Sequence, residues 1–322
     1  MKKVKFSVLD LVPIVQGRTV RDAYLESMNL AKHVEKLGYE RYWIAEHHNM
    51  PGIASAATSV VISYIAGATE KIRVGAGGIM LPNHAPLVIA EQFGTLEAMF
   101  PGRIDLGLGR APGSDGKTAM ALQRDRRDFP QLLTELRHYF EGIAPVRAIP
   151  GEKQDIPIWL LGSSDFSARL AGHLGLPFAF ASHFSPDNTL VAMKAYRDAF
   201  TPGVLKEPHS MIAINVFAAE TTEQAEKIAT SSQQQFLSLI RNNPGQLPPP
   251  VDNMETIWSD IEKYHVMRQL AGTVIGNPEE VKAGIQQYID ETGADEVMIV
   301  TSTYDPQARL DSYEIVAKMM EI

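Results

Sequence analysis

The sequence predicts an α/β fold closed into a (β/α)8 TIM barrel, and three observations carry that expectation. Eight short apolar runs read as strands, and nearly every pair of neighbours is separated by a segment with helical spacing. Strand–helix alternation calls for a parallel sheet, because parallel neighbours need a crossover connection. The 322 residues suit one barrel of eight such units, so a single domain spanning 1–322 is expected. A doubly wound open sheet is the alternative arrangement of the same elements.

Residues 5–9 form the first strand, followed by a helix over 20–37 in which Tyr24, Met28, Ala31 and Val34 recur every three or four positions. Thr19 and Asp22 make a capping-box start for that helix and Gly38 a stop. Strands at 41–45, 73–79 and 104–108 alternate with helices at 56–69 and 86–100. Leucines and aromatics between 118 and 140 indicate a further helix with an indistinct, charged start. Strands at 156–161, 178–181 and 211–217 then alternate with helices at 165–174, 187–200 and 223–240. Asn277, Pro278 and Glu280 open a helix that stops at Gly293, before the last strand at 296–300. Asp305-Pro306 starts a terminal helix carrying Leu310, Tyr313, Val316 and Met320.

Two connections exceed what a minimal barrel needs. One covers 109–155; the other is a long insertion between strands 7 and 8, at 218–295. The insertion contains Asn242-Asn243-Pro244-Gly245-Gln246-Leu247-Pro248-Pro249-Pro250, where prolines remove donors and fix the backbone, so regular structure is excluded. Such a segment is either a lid or substrate wall, or a tolerated surface insertion.

Composition narrows the function. Hydrophobic residues make up 45% and charged residues 21%, enough for a large core. Thirty basic against 38 acidic residues give a net charge of −8, which argues against nucleic acid as a partner. The absence of cysteine excludes disulfides, zinc–thiolate sites, iron–sulfur ligation and thiol catalysis. No His-x-His or His-Glu-x-x-His spacing offers a metal site either. The most apolar run, 55–68, is too short for a membrane span and reads as a buried helix. With no export signal, a cytoplasmic location is expected.

In this fold chemistry gathers at the C-terminal ends of the strands. The second strand ends in Ala45-Glu46-His47-His48; adjacent strand residues face opposite ways, so one histidine at most would face the mouth. Glu46 would either orient an imidazole or cap a loop. Gly77-Gly78 ends the third strand and marks a bulge or a close backbone approach, such as a flat ligand would need. Gly107-Leu108-Gly109-Arg110 ends the fourth; a guanidinium buried there requires an anion beside it. Pro112 stands where a dinucleotide fingerprint has its third glycine, so that motif is weak. Gly162-Ser163-Ser164-Asp165-Phe166-Ser167 opens the next helix with free N–H groups and hydroxyls suited to a phosphate, or with an ordinary cap. Arg110 on the neighbouring strand end favours the phosphate. The mixed-charge run Arg124-Asp125-Arg126-Arg127-Asp128 reads as a solvated helix start.

Taken in order, these strand ends resemble those of the bacterial luciferase-like, flavin-dependent monooxygenase family. The similarity extends through Val74-Gly75-Ala76-Gly77-Gly78-Ile79-Met80-Leu81-Pro82, Gly102-Arg103-Ile104-Asp105, Gly175-Leu176-Pro177, Gly276-Asn277-Pro278-Glu279-Glu280 and Gly293-Ala294-Asp295-Glu296. The resemblance implies a barrel binding FMN at the strand C-termini. Gly77-Gly78 falls where the family has a non-proline cis peptide beneath the flavin ring. Arg110, Ser163, Ser164 and Ser167 fall on its phosphate-contacting positions, and His47 on its acid/base histidine. Gly109 stands where luciferase proper has a cysteine, and Ser163 where it has a glutamate. The implied activity is oxygenation of a small organic substrate by reduced FMN and O2, with a separate flavin reductase as partner and a homodimeric assembly. A deazaflavin- or NAD(P)H-coupled oxidoreductase and a non-catalytic flavin-binding protein are the alternatives the resemblance leaves open.

Overall fold

The computed structural model describes residues 3–322. Nine strands are present: β1 (Lys5–Asp10), β2 (Arg41–Ile44), β3 (Arg73–Met80), β4 (Ile104–Gly109), β5 (Ile158–Gly162), β6 (Phe178–Phe180), β7 (Ser210–Ala218), β8 (Val274–Gly276) and β9 (Glu296–Val300). All pair in parallel, and the ring runs β1-β2-β3-β4-β5-β6-β7-β9 and back to β1. This is the closed eight-stranded barrel expected, with no open sheet.

The helices between the strands are α1 (Val20–Leu37), α2 (Thr58–Ala68), α3 (Pro86–Met99), α4 (Gly116–Ala121), α5 (Phe129–Glu141), α6 (Asp165–His173), α7 (Thr189–Asp198), α8 (Thr222–Ile240), α9 (Asp260–Gln269), α10 (Pro278–Thr292) and α11 (Pro306–Met320). The capping residues act as their chemistry requires. Thr19 and Asp22 form a reciprocal box on α1, Asn277 accepts from the Glu279 and Glu280 N–H groups, and Gly38 and Gly293 close their helices in the left-handed region. None of the helices among the described residues is long and apolar enough to cross a membrane.

Three features depart from the sequence expectation. The helix expected between 118 and 140 is two, α4 and α5. Residues 124–128 lie outside both; Asp128 caps α5 by accepting from the Gln131 N–H, and Arg127 pairs with Asp125 and Glu135. The insertion also holds a helix, α9, and a strand, β8, that were not anticipated. β8 is too short for periodicity to reveal, and it pairs with β7 at 216–218, beyond the stretch that β9 occupies at 211–215. Finally, the proline-rich segment is stitched to the barrel rim rather than loose on the surface. Leu247 is fully buried, its N–H donates to the Ile14 carbonyl, and its carbonyl accepts from the Gln16 N–H, both at 2.9 Å.

Two apolar layers make the core of the barrel, and a third cluster, Leu237, Met254, Trp258, Val266 and Leu270, lies within the insertion. The larger lies between barrel and helices; the smaller fills the barrel itself, around Leu9, Trp43, Trp159, Met211 and Met298. Below the smaller layer sits an ionic cluster: Arg41 donates from Nη1 to Asp105 Oδ2 and from Nε to Glu296 Oε1, both at 2.8 Å. Both carboxylates are wholly buried, and Arg73 and the Trp43 indole N–H also donate to Asp105. The charges fill the N-terminal end of the barrel, and at the strand C-termini side chains such as His47 stay partly exposed around a mouth.

Candidate active site at the barrel mouth

The mouth is assembled by loops following β2, β3, β4, β5 and β6, and its organiser is Glu46. This carboxylate is fully buried, which pushes its pKa up, but hydrogen bonds from His84, His48 and the Met80 N–H outweigh burial and hold it below the usual carboxylate range. His48 Nε2 lies 2.8 Å from Oε1, His84 Nε2 lies 2.9 Å from Oε2, and Asn83 Nδ2 donates to Oε1 at 3.0 Å. Asn83 also donates to the Pro112 carbonyl and accepts from Arg124 Nη1 at 2.7 Å. Arg124 in turn donates to the Arg110 carbonyl. One carboxylate thereby ties together the loops after β2, β3 and β4.

The two adjacent histidines divide as the sequence argument required. His48 belongs to Glu46. His47 does not; its Nδ1 is shielded from solvent yet has no hydrogen-bond partner among the described residues. Burial lowers the His47 pKa below 6.5, against the opposing pull of Glu46, so the imidazole is neutral at neutral pH.

Gly77 and Gly78 lie at a bulge in the pairing of β3 with β4, and the peptide bond between them is cis. The bulge reading of this pair is the one the structure shows. A Cβ on Gly77 would sit 2.7 Å from Leu9 Cδ1, and one on Gly78 would sit 2.7 Å from the Gly107 carbonyl oxygen, so the barrel's own packing demands glycine. Gly77 nevertheless remains partly exposed. At Gly109 the space a side chain would take is held by Met80, with Sδ 2.7 Å from an added Cβ.

Arg110 is not the buried guanidinium that the sequence argument expected. It is the first residue past the buried run of β4, it is exposed, and only its carbonyl is held by the protein. Its guanidinium lies over the Phe166 ring, 4.6 Å from the centroid, which brings the cation to the first turn of α6. Ser163 and Ser164 precede that helix and Ser167 lies within its first turn, buried. Ser164 occupies the cap position without a side-chain cap bond, and among the described residues none of the three hydroxyls has a protein partner. Arg110, the α6 N-terminus and the serines therefore converge on one surface with unspent donors, a set that fits a phosphate.

Sequence reasoning missed two further histidines: His84 lies four residues beyond the inspected end of β3, and His183 lies past β6, outside the second to fifth strand ends that were inspected. His84 follows β3 and binds Glu46. His183 lies three residues past β6, where the same strand-end logic would have found it. Burial and the nearby His47 lower the His183 pKa to about 4. A histidine neutral in the fold but protonated in the unfolded chain contributes stability above pH 6.5 that is lost as pH falls toward 4. The urea midpoint should therefore drop across that window, and His183→Asn should flatten the slope; equal slopes would refute it.

Comparison with known proteins agrees with the fold. The family model described as luciferase-like monooxygenase matches residues 4–296. A luciferase-like monooxygenase of Escherichia coli (strain K12) is 51% identical, covering 99% of this chain and 98% of that one. The N-acetyl-S-alkylcysteine monooxygenase of Bacillus subtilis (strain 168) is 33% identical over 98% of this chain and 97% of its own. Among solved structures, apo-MsnO8 superposes with a TM-score of 0.89 at 34% identity, covering 99% of this chain and 98% of that one. With the closed barrel and these relatives in agreement over nearly the whole length, the chain belongs to the luciferase-like monooxygenases, a family of oxidoreductases.

Proposed function

We propose that the chain is an FMN-dependent monooxygenase that uses reduced FMN and O2 to oxygenate a small organic substrate. The observation that carries the cofactor assignment is the meeting of Arg110 with the α6 N-terminus and three unengaged serine hydroxyls. Arg110, Ser163, Ser164 and Ser167 would hold the phosphate, and the partly exposed backbone of Gly77, next to the buried Gly78, would face the ring. Bound reduced FMN would supply the electrons that activate dioxygen. His47, neutral and with Nδ1 free, would hold or accept a proton at that nitrogen. The insertion, pinned to residues 14–16 through Leu247, would wall the mouth against water. Reduced flavin would come from a separate reductase, and a cytoplasmic dimer fits the same reading. The Bacillus relative's name makes thioethers carrying an acetamido group the first substrates to assay.

Removing Arg110 tests the cofactor assignment. Arg110→Ala should weaken FMN binding by at least tenfold, since a charge-assisted contact contributes about 1.5–3 kcal/mol, while Arg110→Lys should recover part of the loss. Fluorescence titration with oxidised and reduced FMN reads the change, and unaltered affinity would remove the arginine from the site. Oxygen uptake coupled to substrate separates oxygenation from hydride transfer with a deazaflavin or NAD(P)H. Any substrate turnover excludes a non-catalytic flavin carrier.

A further inference from the structure

Alternation along β6, β7 and β9 sorts their side chains between two surroundings. Ile212, Ile214 and Ile299 face the helices and belong to the larger apolar layer. Ala179, Ala213 and Val300 face the barrel interior, and so, two residues beyond Ala213 on the same strand, does Asn215. The inward four are not sealed: Ala179 is 7% exposed, Ala213 and Asn215 5% and Val300 4%, against 0% for the three isoleucines. Met211, deeper on the inner face of β7, is again wholly buried. A hollow therefore descends from the mouth along the wall formed by β6, β7 and β9, which are neighbours in the ring, and ends where Met211 fills the interior.

Barrel interiors are ordinarily filled by layers of bulky branched side chains. Alanine at 179 and at 213, on adjacent strands, leaves part of that volume empty. An empty apolar hollow in a close-packed core costs stability unless a ligand occupies it.

Asn215 sets one polar group into this apolar wall. Its Nδ2 donates to the His183 carbonyl at 2.7 Å and to Thr273 Oγ1 at 3.4 Å, which ties the loop after β6 to the insertion. A carbonyl takes only a donor, so these bonds fix which end of the amide is which. Oδ1 accepts from no group among the described residues, and it is not one of the side-chain atoms that are both shielded and unpaired, so it opens onto the hollow. The parts assigned to the cofactor lie elsewhere, with Gly77 on β3, Arg110 after β4 and the serines after β5. The β6–β7–β9 wall is left free for the substrate.

We propose that Ala213 and Asn215 determine substrate specificity: an apolar chain of the substrate fills the hollow beside Ala213 and Ala179, and an N–H or O–H group of the same molecule donates to Asn215 Oδ1. The class this selects is an alkyl-bearing molecule with a hydrogen-bond donor a few bonds from the alkyl group. The inference rests on the monooxygenase reading, which it deepens by placing the substrate.

The test uses the full chain loaded with FMN, and three probes: N-acetyl-S-methylcysteine, its S-butyl homologue, and an N-methylated form of the first that lacks the amide N–H. Binding is read by calorimetry. Ala213→Leu, which grows into the hollow, should weaken the S-butyl probe about tenfold or more and the S-methyl probe far less. Its urea midpoint should not fall, because the space is already there; a lower midpoint would show a filled interior and overturn the proposal. Asn215→Ala should weaken the N–H probe about tenfold and leave the N-methylated probe within about twofold. Equal losses for both would reduce Asn215 to a tie between loops. Both variants should keep their affinity for FMN; a parallel loss would put the cofactor on this wall instead. Binding of none of the probes by the unaltered chain would overturn the substrate placement, whereas failure to bind FMN at all would strike the cofactor reading beneath it.

Discussion

Replacing His47 with alanine is expected to lower kcat by about 10²–10⁴-fold while leaving the affinity for reduced FMN nearly unchanged. The argument is geometric before it is electrostatic. His47 stands on a chain segment locked by Glu46, its Nδ1 is free of protein partners, and its neighbour His48 is already committed. Arg110 and the serines, which would grip the cofactor, follow other strands, so the deletion removes a proton acceptor and leaves the phosphate grip intact. Burial keeps the imidazole neutral to below pH 6.5, so the acid limb of kcat/KM should fall below that value in the unaltered enzyme. The variant should lose that limb. A kcat within a few-fold of the original, measured at saturating reduced FMN, would remove His47 from the mechanism.

Arg41→Ala should cost about 3–5 kcal/mol of folding stability, a large share of what a domain has to spare. The side chain separates two fully buried carboxylates, Asp105 and Glu296, and its guanidinium lies over Trp159, 4.9 Å from the ring centroid. Truncation leaves the buried Glu296, which also accepts from Ser7 Oγ and lies 3.6 Å from His209 Nε2, without its guanidinium. Arg73 still holds the far oxygen of Asp105, so the damage falls mainly on Glu296. Combining Arg41→Leu with Glu296→Gln should therefore recover much of the loss, since removing both charges is far milder than orphaning one. Urea denaturation of the two variants checks this, and a loss below 1 kcal/mol for the single variant would contradict it.

Much of this architecture is legible in the chain itself. Eight strand cores, the capping boxes at Thr19 and Asn277, and the left-handed stops at Gly38 and Gly293 follow from local chemistry, and local chemistry is what a sequence displays. The strand-end rule led to His47, to the Gly77–Gly78 bulge and to the Arg110–serine set because each lies within a few residues of a recognisable strand. Elements settled by distant partners were hidden. β8 is three residues whose pairing with β7 depends on the whole insertion folding back, and Leu247 meets Ile14 from more than two hundred residues away. The exposure of Arg110 was likewise misjudged, since burial of a residue just past a strand is set by the neighbouring loops. Glu46 was seen beside its histidines, but its grasp of His84 and Asn83 from another loop was not.

That hub has a consequence for anyone who would exchange parts among related enzymes. The rim segments after the second, third and fourth strands are not separable cassettes. A transplant that replaced residues 80–84 alone would strand an ionised carboxylate in the interior and free the fastening of Arg124 at the same stroke. Altering specificity at this rim therefore means moving Glu46 and its donors as one inherited unit.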